Sequence, residues 1–177
     1  ENIRYEDILG KKIEENVLAE DIITKNLVIN KIFGLIIVRL NSSRFPNKAL
    51  VDIGGEPAIT HLINRIKQSK LITEIILCTT NNKEDDKLED IAIENKIECF
   101  RGEEHNVLGR MLKALNNKEA EIVVRITGDD ILIDPEYIDK GLKDHLYKNT
   151  EYTDLKQLPS GTEVEIFNYR LLHDIYK

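Results

Sequence analysis

The 177 residues carry 25 Lys and Arg against 32 Asp and Glu, a formal net charge of −7, with 41% hydrophobic and 32% charged residues. That length builds one core of ordinary domain size with a small appendage, and the balance excludes a disordered chain. An acidic chain of pI near 5.2 lacks the basic footprint of a nucleic-acid binder, and no apolar run reaches membrane-spanning length, so an anionic ligand would have to be met by a local patch.

The first 31 residues, ENIRYEDILGKKIEENVLAEDIITKNLVINK, are charged and lack a long amphipathic stripe. They read as a separate small segment before a domain spanning residues 32–177. The chain starts at Glu1 without a methionine, which reads as processing or as a piece of something longer. GLIIV from Gly34 is the short apolar run of a buried parallel strand. PAITHLINRIKQ then predicts a helix, with Pro57 in its first turn and Ile59, Leu62, Ile63 and Ile66 on one face. EIILCTT is a second strand, EDDKLEDIAIEN a helix with acids in its first turn, and IECF a short third strand. NVLGRMLKAL sets Val107, Leu108, Met111, Leu112 and Leu115 on one stripe despite Gly109. EIVVRIT is a fourth strand. A helix from Asp134–Pro135 buries Tyr137, Ile138, Leu142 and Leu146, EVEIF (Glu163 to Phe167) forms a strand, and a last helix starts at Tyr169. Alternating strands and helices give an α/β fold, a mostly parallel central sheet with helices on both faces. Cys78 and Cys99 form neither a CxxC pair nor a zinc-type spacing with the four histidines, which reads as two reduced thiols in a cytoplasmic protein.

Two segments carry chemistry. Behind the first strand, VRLNSSRFPNKAL gathers Arg39, Arg44 and Lys48 with Ser42 and Ser43, and no acid occurs between Lys31 and Asp52. In open α/β sheets ligands bind beyond the carboxyl ends of the strands, where this loop begins. Cations, hydroxyls and exposed N–H groups suit polyphosphate oxygens; a solvated loop with arginines at helix ends fits the composition equally. Neither a Walker loop nor a GxGxxG fingerprint is present. RITGDD, Arg125 to Asp130, also ends an apolar strand: Gly128 admits close backbone approach, and Asp129 offers a carboxylate to a hard cation. Alone, Asp129–Asp130 would read as a turn. A cationic loop and an aspartate on one sheet edge together make a metal–triphosphate site.

These residues resemble a known family. Arg39, Ser42, Arg44, Pro46, Lys48 and Leu50 resemble the ARxGSxRLPGKxL signature of the cytidylyltransferases that activate acidic sugars: CMP-KDO synthetase, acylneuraminate cytidylyltransferase and, most similar, the spore-coat polysaccharide biosynthesis protein F group. GGEPAITHLINRIKQSKLITEIILCTTNNKEDD, FRGEEHNVLGRM, RITGDDILIDP and LPSGTEVEIF resemble further motifs of that group in the same order. The resemblance implies a nucleotide-diphospho-sugar transferase (GT-A-like) fold, CTP and an acidic sugar as substrates, magnesium, and a homodimer. It implies that CMP passes from CTP to a 2-keto sugar acid with release of pyrophosphate. Arg39, Ser42, Ser43, Arg44 and Lys48 become the triphosphate loop and Asp129 the magnesium ligand. Gly128, Thr79, Thr80, Arg101 and Arg125 lie around the nucleotide, and Glu163 and Glu165 on the sugar side.

The chain departs from the pattern where Asn41 and Asn47 replace glycines, where Asp130–Ile131 replaces Cys-Pro, and where Thr162–Glu163 replaces Leu-Asp. It stops at Lys177, before the family's REHVTPY region, so the domain is expected to be C-terminally incomplete. YEDILGKKIEENVLAEDIITKNLV resembles the end of the SAF domain that closes sialic-acid synthases, which implies fusion to a synthase; an unrelated extension is the alternative. Two other functions stay open: a sugar-1-phosphate nucleotidyltransferase on the same architecture, and a non-catalytic nucleotide-binding or assembly module. No residue stands out as a general base.

Overall fold

The computed structural model describes residues 31–41, 45–155, 158–159 and 161–177. The expected N-terminal segment, apart from Lys31, and Ser42, Ser43 and Arg44 of the cationic loop lie outside the described residues.

Strand β1 (Ile32–Ile37) is buried along its whole length, as an uninterrupted apolar run requires when both faces of a sheet are covered. A small antiparallel hairpin follows, β2 (Asp52–Ile53) and β3 (Glu56–Pro57). It leads into α1 (Ala58–Ile66), whose predicted stripe of Ile59, Leu62, Ile63 and Ile66 is fully buried. Pro57 sits one position earlier than expected, as the N-cap. Then come β4 (Glu74–Thr80), α2 (Asp86–Glu94), β5 (Glu98–Gly102), α3 (Val107–Ala114), β6 (Ile122–Thr127) and α4 (Pro135–Lys148). The described chain closes with β7 (Tyr152–Asp154), β8 (Glu165–Asn168) and α5 (Tyr169–Tyr176). No helix among the described residues is long and apolar enough to cross a membrane.

The main sheet has the order β5-β4-β1-β6-β8-β7. Its first four strands are parallel; β8 runs antiparallel to β6, and β7 antiparallel to β8. Alternating side chains divide the core into two layers. Ile36, Leu77, Val124 and Ile126 face α1, α2 and α4, whereas Leu35, Ile37, Cys78 and Val123 face α3 and α5. Helices therefore cover both faces, as expected.

Some local expectations shift. β5 runs two residues beyond the predicted IECF, and β8 starts at Glu165, leaving Glu163 outside the strand. β7 has no apolar run to announce it. Tyr137 is 46% exposed rather than buried, because its ring lies on the outer face of α4 beneath the Lys140 ammonium, 5.5 Å from the ring centroid. His145 completes the buried stripe instead. Gly109 in α3 has a specific reason. The Asn106 side chain caps the helix by accepting from the Gly109 N–H at 2.9 Å, and a Cβ there would lie 2.6 Å from that side chain.

Candidate functional site

Strand order reverses between β1 and β6, since the chain winds from β1 through β4 to β5 and then returns to the other side of β1. The register pairs Ile37 with Thr127, and the Gly128 N–H continues the ladder to the Ile37 carbonyl at 2.9 Å. The chain thus leaves β1 toward Arg39 and β6 toward Asp129 from adjacent strand ends. Here Val38 occupies the room that a side chain at position 128 would need: an ideal Cβ would meet Val38 Cβ at 2.5 Å. Gly128 is required by this strand-to-strand approach.

A cleft of about 650 Å³ opens at this point. One wall comes from the β1 loop, with Arg39, Phe45 and Lys48; Asp129 follows from β6, and Glu104, His105 and Arg110 line the rest. The loop is pinned at its neck, where the Asn47 N–H donates to the Leu40 carbonyl at 2.9 Å. Asn47 has φ 58°, so it keeps the left-handed conformation that the family's glycine would supply. Behind the loop, fully buried Asp85 accepts from the Leu40 N–H at 2.8 Å, from Thr79 Oγ1 at 2.9 Å, and from the N–H and hydroxyl of Thr80. One carboxylate thereby ties the start of the cationic loop to the end of β4.

Within the cleft Lys48 pairs with Asp129, and Arg39 Nη1 donates to Glu104 Oε1 at 2.6 Å. Arg110, on α3, is 3% exposed; its Nη1 donates to the carbonyls of Glu103 at 2.8 Å and Glu104 at 3.3 Å, while its Nε has no partner. Burial lowers the affinity of this guanidinium for its proton, and no carboxylate among the described residues forms an ion pair with it. A buried cation so placed favours an anion in the cleft. Burial, then repulsion from Asp129 and Glu163, pushes the Asp130 carboxyl up to about 6, with Lys48 opposing. Among the described residues no three His, Cys, Asp or Glu side chains form a closed metal cage. A cleft carboxylate with a second acid next to it is the donor set that magnesium uses alongside substrate phosphates, so these residues fit that ion.

The other expected site residues are placed as follows. Thr79 and Thr80 are fully buried against Asp85. Arg101 donates to Asp86 at 2.7 Å and Glu89 at 2.8 Å, and also to the carbonyls of Thr80 and Asn82. Arg125 pairs with Glu165, directly opposite it in the β6–β8 register, and Glu163 accepts from the Gly161 N–H at 3.3 Å. None of these lines the cleft. Sequence reasoning missed Asp85, Glu104, His105 and Arg110. For the middle two a signal existed: EEH follows β5, whose carboxyl end lies on the same sheet edge as those of β1 and β6.

An open sheet with a cationic loop and an aspartate meeting at its switch point defines the class, an α/β domain of nucleotide-sugar-transferase architecture. The chain belongs to the cytidylyltransferase family: the family model described as Cytidylyltransferase matches residues 33–177. It is 35% identical over 147 residues to an uncharacterized protein of Methanocaldococcus jannaschii, covering 83% of this chain and 60% of that protein. Spore coat polysaccharide biosynthesis protein SpsF of Bacillus subtilis is 31% identical, covering 83% of this chain and 63% of that one. A 3-deoxy-manno-octulosonate cytidylyltransferase of Geobacter sulfurreducens is 30% identical over 63% of this chain and 44% of its own length. The solved structure of a cytidylyltransferase from Leptospira borgpetersenii superposes with a TM-score of 0.78 at 31% identity, covering 82% of this chain and 63% of that one. The chain thus spans 60% and 63% of the first two relatives' length.

Proposed function

We propose that this chain is the nucleotide-binding part of an enzyme that transfers CMP from CTP to a 2-keto sugar acid of the nonulosonic or KDO type, releasing pyrophosphate, in surface polysaccharide biosynthesis. The observation that carries the reading is the meeting of Lys48 and Asp129 across one cleft, with Arg39 and buried Arg110 beside them. Family membership and the names of the relatives support it. Arg39 and Lys48 hold the outer phosphates and neutralise the charge that gathers on departing pyrophosphate, which is most of what a protein contributes to such transfers. Asp129, with Asp130 next to it, would hold magnesium, which when bound supplies Lewis-acid neutralisation at the phosphates. Gly128 keeps Asp129 close to the β1 end, so that phosphate and metal ligands sit at fixed separation. Glu163, whose charge acts on Asp130, would meet the sugar acid.

Calorimetric titration of CTP, ATP, GTP and UTP, with and without magnesium, tests the nucleotide, and pyrophosphate release in the whole natural protein tests the transfer. Magnesium-dependent preference for CTP is expected. Lys48→Ala should weaken CTP binding about tenfold or more, the worth of a charge-assisted contact, and Asp129→Ala should abolish magnesium-dependent release. Unchanged CTP affinity in the first variant, or unchanged release in the second, refutes the corresponding role.

A further inference from the structure

Among the described residues, the cleft's two half-exposed cations are both engaged by acids of the same chain, but the two acids differ. Asp129 and Lys48 are groups that a single metal–triphosphate would bridge. Glu104 has no such place in the reaction, yet it is the better anchored. Its Oε2 accepts from Asn82 Nδ2 at 2.9 Å while its Oε1 holds Arg39 at 2.6 Å. Its backbone carbonyl, and that of Glu103, accept from Arg110. The Glu104 side chain is 24% exposed and Arg39 43% exposed. When the pair opens, Arg39 is therefore the partner free to move, and Glu104 stays.

We propose that Glu104 is a resident counter-ion that competes with incoming phosphate oxygens for Arg39, lowering the affinity of every ligand that uses Arg39. This rests on the reading of the cleft as a triphosphate site. Attraction to the cleft grows with ligand charge, so a triphosphate overcomes the competition at concentrations where a singly phosphorylated ligand does not. The exchange leaves no stranded acid: once Arg39 turns to phosphate, Glu104 keeps its bond from Asn82 and faces the buried Arg110 cation. Pyrophosphate departure runs the same exchange backward, with Glu104 retaking Arg39.

The test is calorimetric titration of tripolyphosphate and pyrophosphate, without divalent cation, into the full chain and its Glu104→Gln variant. Gln keeps the size and can still accept from Asn82. Both anions should bind about two- to fivefold more tightly to the variant, the worth of a half-exposed ion pair. The gain should vanish when Arg39→Gln is introduced in both backgrounds. Equal or weaker binding to Glu104→Gln overturns the proposal, as does a gain that survives Arg39→Gln, since removing any acid would then suffice. Binding only by the variant would be the competition at its strongest. If neither protein binds either anion, the triphosphate reading falls too; binding without a gain overturns the counter-ion role alone.

Discussion

Replacing Gly128 by alanine should damage the protein out of proportion to one methyl group. An ideal Cβ at that position would stand 2.5 Å from Val38 Cβ, 2.7 Å from Val38 Cγ2 and 3.3 Å from the Ile37 carbonyl oxygen. The obstacle is the Cβ of a β-branched residue, so no rotamer change removes it, and the ends of β1 and β6 must part by about an ångström to reach ordinary contact. Overpacking of this kind costs about 1–3 kcal/mol, and loosening the 2.9 Å bond from the Gly128 N–H to the Ile37 carbonyl adds about 0.5–1.5 kcal/mol. The total is about 1.5–4.5 kcal/mol, which for a chain of this size lowers the melting temperature by about 3–18 °C. Urea denaturation of Gly128→Ala beside Gly34→Ala measures it, because the atoms nearest a Cβ at Gly34 belong to the Ile72 and Ile66 side chains at 3.4–3.5 Å, ordinary contact distance. An unfolding free energy of Gly128→Ala within about 0.5 kcal/mol of wild type, the ordinary scatter of neutral substitutions, would refute the close-approach argument.

His145 is almost fully buried between Thr153, 2.9 Å from Nδ1, and Asn168, 3.1 Å from Nε2, and burial holds its pKa below the ordinary 6.5. Its neutral form is the folded one, so its contribution is complete above that value and is lost as pH falls from there through the depressed folded value. Denaturant midpoints should therefore drop between pH 7.5 and 5.5, with a shallower slope in His145→Gln; equal slopes would refute the assignment. Cys78 is completely buried, and desolvation raises its thiol far above the ordinary range, while Cys99 is pushed up to about 11, chiefly by burial. At pH 8 only about one Cys99 in a thousand is thiolate. A thiol-specific reagent should thus label Cys99 slowly and Cys78 only after unfolding, and rapid labelling of both in the native protein would contradict this burial.

The strand–helix alternation was legible because β1 is an uninterrupted apolar run, β4 and β6 carry apolar stretches of strand length, and the stripe of α1 repeats at helical spacing without exception. The juxtaposition of Arg39, Lys48 and Asp129 was legible as well, since Arg39 and Asp129 follow strand ends that a parallel sheet must align and Lys48 belongs to the loop that leaves the first of them. Tyr137 was misread because periodicity identifies a face without saying where its margin falls, and a lysine one turn on can shelter an aromatic ring at that margin. β7 was missed because Tyr152–Asp154 is too short to alternate. Asp85 was hidden among acids that suit any helix start; only tertiary folding brings Leu40 and Thr80 to the same carboxylate. Arg110 reads in sequence as a polar position beside the buried stripe of α3, and its burial arises from β5 and the turn after it.

One consequence concerns which changes this architecture can absorb. The β1 loop and Asp129 hang from two strands joined by a single hydrogen-bond ladder, in which Ile37 stands opposite Thr127. Their separation is therefore written in the pairing of a few residues, while the helices that connect the strands only set the path between them. Lengthening a surface turn leaves that spacing untouched and costs little in closure entropy. Inserting one residue within β6 would turn every following side chain to the opposite face, exchanging the two core layers along that strand. Over evolutionary time the connections around the sheet can be rewritten and extended freely, whereas the length of this strand pair, upstream of the site, cannot change by even one residue.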